Sequence, residues 1–501
     1  MAKKKVVAAA GAKGGAKKKG VAAKRPVTRK PKKARTAKAT PVRELTAKPR
    51  TSPAQPRPKS PSRSAGPTAL TVVDLFAGAG GLSEGFRQAG FSVLAGSDND
   101  PDAMATYAKN FGEAETITGD VRSAKIRARI LEHACTASVI VGGPPCQAFS
   151  QVRNHTRLID DERNSLYREF VHVLGKALPA AFIMENVTGI DQMGAREQIA
   201  ADLALNGEYT ILPQVVDAAD FGVPQTRKRL LFVGVKRSAK IDPPRFRGSG
   251  ATNAVSLQRH VSPKGSKYRV HADKDLLGGF AQQALSSSDD TSVVSAADAI
   301  SDLRWLAAGN RDDVLAYPEV PGARSAYQRA MREGAFGDIT NVQVPRIRSD
   351  TVLRLKGIPP GGNFRDLDEE LLERYISGER WGQDNGSGKL SRQHFYAYRR
   401  LHPDIWAWTL NTKADSVYHY AEPRALSVRE FARLQSFPDR FIFTTDPRKG
   451  SIEGRHDGGA AHSRYRQVGN AVPPLLANAV AQALTKQFAS RSEPTRRSNA
   501  S

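Results

Sequence analysis

Cysteine is scarce in this chain, and long apolar runs are absent. Only Cys135 and Cys146 occur among 501 residues, which excludes a disulfide framework and a zinc site made of several cysteines. No apolar run approaches the ~20 residues of a membrane-spanning helix, and the N-terminus lacks the apolar core of a secretory signal. We therefore expect a reducing compartment and no membrane partner.

Residues 1–67 also lack the side chains that build a core. They contain no Ile, Phe, Trp or Tyr, but 21 Lys and Arg against one acid, Glu44, so they carry +20 of the net charge of +26. Such a segment cannot bury enough apolar surface to offset the entropy lost on ordering. We expect a disordered basic arm that contacts polyanions such as DNA nonspecifically; a solubilising tail or a localisation signal is the alternative.

The first segment with a core pattern predicts a strand, a glycine-rich turn and a helix. They are predicted at residues 71–76, 77–81 and 82–89, an order typical of units that bind nucleotides. The next predicted strand ends in Asp98, 24 residues after Asp74, and an acid at about this distance commonly binds ribose hydroxyls. Because Ser83 replaces the third glycine of the dinucleotide fingerprint, the pattern indicates an adenosine ligand without requiring a pyrophosphate.

A single thiol follows another predicted strand. Ser-Val-Ile-Val at 138–141 predicts a short buried strand, and Gly-Gly-Pro-Pro at 142–145 then imposes a rigid turn before Cys146. A thiol held at the carboxyl end of a strand is typical of a positioned nucleophile. A small buried hydrophobic residue is the alternative interpretation.

Two further polar groups lie at the ends of predicted strands. Residues 181–184 predict a buried strand with Glu185 at its tip, where a carboxylate can act as an acid or a hydrogen-bond partner; a surface cap is the alternative. Gln-Thr-Arg-Lys-Arg at 225–229 brings three cations into a later strand, which suits a phosphate or a polar ring. A solvated basic patch is the alternative there.

The second half of the chain is less regular. Residues 238–423 are rich in Pro, Gly and Ser and predict a second, irregular domain or a set of loops. Residues 424–437 predict an amphipathic helix, and a last helix is predicted to run through Leu484.

Six of these stretches resemble, in order and spacing, the motifs of the DNA (cytosine-5-)-methyltransferase family of the bacterial restriction-modification type. The resemblance covers about residues 70–487. The matching stretches are Asp-Leu-Phe-Ala-Gly-Ala-Gly-Gly at 74–81, Pro-Cys-Gln at 145–147, Glu-Asn-Val at 185–187, Gln-Thr-Arg-Lys-Arg at 225–229, residues 424–438 and Gly-Asn-Ala-Val at 469–472.

The resemblance implies an α/β fold, a Rossmann-like sheet of S-adenosylmethionine-dependent methyltransferases with an irregular target-recognition domain. S-adenosyl-L-methionine is the implied methyl donor, without a metal. Phe76 would stack on the adenine, Asp98 would hold the ribose and Asp120 would bind the adenine amino group. The residues implied to bind the donor are Asp74, Phe76, Ala77, Gly78, Gly80, Gly81, Asp98, Asn99, Asp120, Val121, Pro144, Asn470 and Val472.

The implied reaction is methyl transfer to carbon 5 of a cytosine flipped out of double-stranded DNA. Cys146 would add to carbon 6, and Glu185 would hydrogen-bond the ring at nitrogen 3 and at the exocyclic amine. Arg227 or Arg229 would favour the thiolate and hold the ring oxygen.

The resemblance also implies a division of the chain and a set of partners. After the arm, residues 68–237 and 424–487 would form the catalytic domain, residues 238–423 the target-recognition region and residues 488–501 a loose tail. A monomer acting on double-stranded DNA is expected, with a cognate restriction endonuclease as a candidate partner. The expected location is cytoplasmic and nucleoid-associated in a bacterium, or nuclear in a eukaryote.

Three alternatives remain at this stage. The first is an RNA cytosine-5 methyltransferase that acts on transfer RNA with the same machinery. The second is an NAD-dependent oxidoreductase, which Ser83 disfavours. The third is a nonenzymatic DNA-compacting protein, which the presence of Cys146, Glu185 and Arg227 disfavours.

Overall fold

The computed structural model describes most of the chain after the basic arm. The described residues are 69–145, 165–193, 195–273, 293–317, 320–376, 398–449 and 459–490. The predictions for residues 1–67, for Cys146 and for the end of the tail therefore lie outside the described residues.

A seven-stranded sheet organises the catalytic half, in the order β3-β2-β1-β4-β5-β7-β6. Neighbouring strands are parallel except that β7 is antiparallel to β5 and β6. The α/β prediction is confirmed. The strands are β1 (Thr71–Leu75), β2 (Ser92–Asp98), β3 (Glu115–Thr118), β4 (Val139–Gly142), β5 (Ala181–Val187), β6 (Tyr209–Asp217) and β7 (Lys228–Lys236).

Helices cover this sheet because its central strands are apolar on both faces. All four residues of β4 are buried, as expected for a central parallel strand. Since β1 lies between β2 and β4, the order of connections reverses there, and such a point is where ligands bind in open α/β sheets. The helices are α1 (Gly81–Gln88), α2 (Pro101–Asn110), α3 (Ala124–Ala134), α4 (Ser165–Ala177) and α5 (Arg196–Leu203).

The region between residues 238 and 423 contains more regular structure than the sequence predicted. One antiparallel hairpin, a second antiparallel pair of short strands and several short helices are present among its described residues. The elements are α6 (Ala251–Ala254), β8 (Val255–Ser262), β9 (Gly265–Ala272), α7 (Ala296–Ile300), β10 (Val314–Ala316), α8 (Ala326–Arg332), β11 (Asp338–Thr340), α9 (Ser349–Gly357) and α10 (Glu369–Ile376).

The helix that follows corrects the prediction of an amphipathic helix over residues 424–437. Helix α11 (Val428–Leu434) is shorter, and all seven of its residues are buried. It begins at a capping box in which Glu430 N donates to Ser427 Oγ at 3.2 Å and Ser427 N donates to Glu430 Oε2 at 2.7 Å. Its polar side chains face internal partners, so the alternation of polar and apolar residues did not indicate a solvent-exposed face.

The end of the chain returns to the first helix. Helices α12 (Gly459–Asn470) and α13 (Pro474–Ser490) follow α11, and α13 packs on α1. The segment between α12 and α13 passes so close to the start of α1 that glycine is needed at position 81, because a Cβ on Gly81 would lie 2.2 Å from the carbonyl oxygen of Val472. Among the described residues no helix is long and apolar enough to cross a membrane.

Candidate active site

The turn that leads toward Cys146 faces the end of strand β5. Asn186 Nδ2 donates to the carbonyl oxygen of Pro144 at 3.1 Å, and Asn186 and Pro144 are both buried. A Cβ on Gly143 would lie 2.9 Å from Glu185 Oε2. The absence of a side chain at Gly143 therefore lets the Glu185 carboxylate lie directly against the turn.

Glu185 pairs with the second arginine of the basic segment. Arg229 Nε lies 2.6 Å from Glu185 Oε1, and the two side chains are 11% and 13% exposed. The sheet register explains the pair, because Arg229 lies opposite Val187 and residues two apart on β5 share a face. The structure thus brings a carboxylate and a guanidinium together at the carboxyl end of β5.

Arg227 has different partners. Its side chain is buried, and its terminal nitrogens donate to the carbonyl oxygens of Leu410 at 3.3 Å and Gly469 at 2.9 Å. Burial, reinforced by the positive charge of Arg229, lowers the pKa of Arg227 well below its ordinary value. Arg227 therefore ties together three separated parts of the chain, and its terminal nitrogens are engaged by backbone groups.

Gln225 has a connecting role that the sequence did not reveal. Its buried amide donates to the carbonyl oxygen of Leu434 at 3.2 Å and accepts from Leu410 N at 2.9 Å. It also donates to Gln435, whose Nε2 donates to the carbonyl oxygen of Ala471 at 2.6 Å. No local pattern indicates this role, because every partner is distant in sequence.

The glycine-rich turn after β1 forms a cradle beside Asp98. Gly78 has a φ of +54°, and a Cβ there would meet no heavy atom within 4 Å. Gly78 N donates to Asp98 Oδ2 and Asp100 N to Asp98 Oδ1, both at 2.9 Å. Burial raises the pKa of Asp98. Phe76, which directly follows β1, is half-buried. Open space over a glycine beside an acid fits an adenosyl ligand.

Asp74 lies beneath this cradle and is fully buried. Its Oδ2 accepts from Ser83 Oγ at 2.7 Å and from Ser83 N at 3.1 Å, and Ser83 Oγ is 2.9 Å from Tyr107 Oη. Burial raises the pKa of Asp74 to about 7. Ser83, which interrupts the dinucleotide fingerprint, therefore holds the first acid in place.

The remaining predicted donor-binding residues are spread around this cradle. Arg122 Nε donates to both oxygens of Asp120 at 3.0 Å, which lowers the pKa of Asp120. The predicted adenine contact of Asp120 must therefore compete with Arg122. Gly80 has a φ of +99° in the same turn. Among the others, Ala77, Gly81, Val121, Pro144 and Val472 are buried, whereas Asn99 and Asn470 are exposed. Among the described residues no group of three or more His, Cys, Asp or Glu could hold a metal ion.

Comparison with known proteins identifies the family. The family described as C-5 cytosine-specific DNA methylase matches residues 70–486. The Type II methyltransferase M.AgeI of Thalassovita gelatinovora is 31% identical, over 83% of this chain and 99% of that protein. M.DdeI of Desulfomicrobium norvegicum is also 31% identical, over 84% and 89% respectively.

A solved structure shows the same fold. It is the crystal structure of a prophage-encoded DNA modification methyltransferase from E. coli, with a TM-score of 0.57 and 25% identity over 84% of this chain and 100% of that one. The oxidoreductase and the nonenzymatic DNA-compacting alternatives are therefore wrong, and the RNA alternative is less supported. The chain belongs to the C-5 cytosine-specific DNA methylase family and is a DNA (cytosine-5-)-methyltransferase, an activity that implies S-adenosyl-L-methionine as methyl donor.

Proposed function

We propose that this enzyme methylates carbon 5 of a cytosine flipped out of duplex DNA through a transient covalent bond between Cys146 and carbon 6. The observation that supports it is the close approach of Gly143, three residues before the thiol, to the carboxylate of Glu185, which is itself paired with Arg229. A thiolate, a carboxylate and a guanidinium at one edge are the groups that this chemistry needs.

The need for a covalent bond follows from the weak nucleophilicity of carbon 5 in cytosine. Addition of the Cys146 thiolate to carbon 6 moves the ring electrons toward carbon 5 and makes it enamine-like. Glu185, in its protonated form, donates to nitrogen 3 and accepts from the exocyclic amine, so its proton neutralises the negative charge that the thiolate brings to the ring. Carbon 5 then takes the methyl group that S-adenosyl-L-methionine supplies. A base removes the carbon-5 proton, the bond between Cys146 and carbon 6 breaks, and the proton on nitrogen 3 returns to Glu185, which restores the aromatic ring.

The two arginines take different roles in this proposal. Arg229, paired with Glu185 at the edge of the site, holds the ring oxygen and favours the thiolate. Arg227 is a positioning residue, because its guanidinium joins the carbonyl groups of Leu410 and Gly469. Phe76 would stack on the adenine of the donor and Asp98 would hold its ribose, beside the open space at Gly78.

A trapping experiment tests the covalent step. Duplex DNA in which every cytosine is replaced by 5-fluorocytosine contains the target sequence, whatever it is, and its fluorine cannot leave as a proton does. With S-adenosyl-L-methionine present, the full-length enzyme should form a complex that survives a denaturing gel. Cys146→Ala should form none, and Cys135→Ala, a matched loss of the other thiol, should behave as wild type. A trapped complex with Cys146→Ala would place the nucleophile elsewhere.

The substrate class is tested on the same protein. Labelled methyl groups should enter duplex DNA and not transfer RNA; the reverse result would establish the RNA alternative. The relatives are named as type II methyltransferases, so a cognate restriction endonuclease is retained as a proposed partner.

A further inference from the structure

Asp98, the acid proposed to hold the ribose of the donor, is oriented by two backbone amides. Gly78 N donates to its Oδ2 and Asp100 N donates to its Oδ1, both at 2.9 Å. A carboxylate has about four lone-pair positions, so these two bonds fix the plane of the group and leave about two positions for ribose hydroxyls. The orientation of Asp98 therefore depends on what holds the amide of Asp100 in place.

Asp100 is held by its own side chain at the start of helix α2. Its Oδ1 accepts from Asp102 N at 3.0 Å, which caps the helix. Its Oδ2 accepts from Arg466 Nη2 at 3.1 Å, and the Arg466 and Asp100 side chains are 32% and 29% exposed. These two residues are 366 positions apart in sequence, so the cap of α2 is joined to the end of the chain.

Arg466 lies on α12 one turn before the last residue of that helix, Asn470. Asn470 and Val472 are predicted donor-binding residues, and they lie at the end of α12 and in the segment that passes close to the start of α1. Arg466 therefore connects the two predicted sides of the donor site, one that carries Asp98 and one formed by residues 470–472.

The packing of α12 on α2 does not depend on Arg466 alone. Ser463 Oγ donates to Asp102 Oδ2 at 2.7 Å, and Thr106 Oγ1 donates to Gln467 Oε1 at 2.6 Å. Ser463 and Gln467 are buried, and they share a face of α12 with Arg466 because the three positions are three and four residues apart. Removal of the Arg466 side chain should therefore leave the two helices together.

We propose that Arg466 is a positioning residue for the binding of S-adenosyl-L-methionine: its guanidinium holds Asp100, and the amide of Asp100 keeps the Asp98 carboxylate in the orientation that holds the ribose. The inference rests on the function proposed above, in which Asp98 contacts the ribose. Fixing a contact group before the ligand arrives strengthens binding, because less ordering is left for the ligand to impose. Since the ion pair is partly exposed, its contribution should be modest and sensitive to salt.

Calorimetric titration of S-adenosyl-L-methionine into the full-length enzyme without DNA tests the proposal. Arg466→Met should weaken donor binding about threefold to fivefold at about 0.01 M salt, which is what an exposed ion pair contributes at most. At about 1 M salt the screening length falls to about 3 Å, so the difference from wild type should fall below about twofold. Arg466→Lys, which keeps the positive charge, should recover most of the affinity.

Asp100→Asn tests the same contact from its other side, because asparagine also caps helices but carries no charge for Arg466 to hold. It should lose affinity by the same factor, and adding Arg466→Met to it should cause no further loss. In methyl transfer to DNA, the Michaelis constant for the donor should rise in Arg466→Met while the turnover number stays unchanged. Arg448→Met is the matched control, since Arg448 pairs with Asp446 at 2.8 Å and the amide of Asp446 donates to Asp102 rather than to Asp98.

The outcomes separate this inference from the catalytic proposal. A loss of affinity that occurs in Arg466→Met and Asp100→Asn, disappears at high salt and is reversed by Arg466→Lys supports it. Wild-type affinity in Arg466→Met overturns it. A loss that persists at high salt, or that is equal in Arg448→Met, also overturns it, because the cause is then packing or net charge. Wild-type enzyme that binds no donor overturns both the proposed donor site and this inference, whereas donor binding without methylation of cytosine contradicts the proposed reaction alone.

Discussion

Replacing Arg433 should destabilise the protein strongly, because its guanidinium lies between two buried carboxylates. Arg433 Nε and Nη2 lie 2.9 and 2.7 Å from the two oxygens of Asp439, and Nη1 lies 2.6 Å from Asp302 Oδ1. The three side chains have no exposed surface. Removing one partner of a buried charge cluster typically costs about 3–5 kcal/mol, because the remaining charges lose their compensation. We expect a loss of this size for Arg433→Met at pH 7.5.

The loss of stability in Arg433→Met should become smaller as the pH falls. Burial alone would raise the pKa of Asp439, but the charge and hydrogen bonds of Arg433 hold that pKa below its ordinary value. In wild type this contribution is present above the pKa of an unfolded Asp and is lost as the pH falls through the lower folded value. In Arg433→Met, Asp439 keeps Arg429 at 3.9 Å and the hydroxyl of Tyr317, but it loses its two hydrogen bonds from Arg433, so its pKa rises and protonation in acid relieves part of the penalty. The difference from wild type should therefore shrink between pH 7.5 and pH 5.

Urea unfolding followed by circular dichroism measures both effects. Arg448→Met is the matched control, since Arg448 pairs with Asp446 at 2.8 Å but is 80% exposed, and exposed pairs contribute about 0–1 kcal/mol. Adding Asp439→Asn to Arg433→Met should recover part of the loss by removing a buried charge that Arg429, at 3.9 Å, compensates only in part. A free energy of unfolding for Arg433→Met within about 1 kcal/mol of wild type at pH 7.5 would refute the reasoning.

Two further predictions concern the site. Glu185→Gln should lower the methyl-transfer rate roughly 10²–10⁴-fold, the usual contribution of a positioned acid–base group, with S-adenosyl-L-methionine affinity nearly unchanged in calorimetry; an unaltered rate would contradict its role. Gly81→Ala should lower stability by about 1–3 kcal/mol and weaken donor binding, because the new Cβ meets the Val472 carbonyl at 2.2 Å. Gly112→Ala is its control, because a Cβ at Gly112 would meet no heavy atom within 4 Å. Equal stability and equal donor affinity in the two variants would mean that Val472 does not pack closely against Gly81.

The elements of the catalytic half could be predicted from the sequence because their signals are local. Buried parallel strands appear as apolar runs, and glycine and proline mark the turns at their ends. These signals indicated β1, β4 and β5, and the structure has Glu185 near the carboxyl end of β5. They did not predict α3, in which only Ile130 and Ala134 are buried, because two buried positions make a weak stripe.

Contacts between distant segments were not predictable in this way. Arg433 and Asp302 are 131 residues apart, so nothing near Arg433 indicates that it is neutralised inside the protein. The same holds for Arg227, whose partners lie 183 and 242 residues away, while its neighbour Arg229 reaches Glu185. The local sequence shows three cations within five residues. Only the folded chain distinguishes Arg227, which binds backbone carbonyls, from Arg229, which pairs with Glu185.

The sequence by itself therefore determined the fold class, the family and the residue types available for the chemistry. The fold class and the family depend on periodicity, on turn residues and on the order of short motifs, which are properties of the linear sequence. The tertiary structure alone decided which polar groups meet: Glu185 with Arg229, Ser83 with Asp74, and Arg466 with Asp100. The reason is that a side chain's partner is set by packing and strand register, and both bring together residues whose separation in sequence carries no signal.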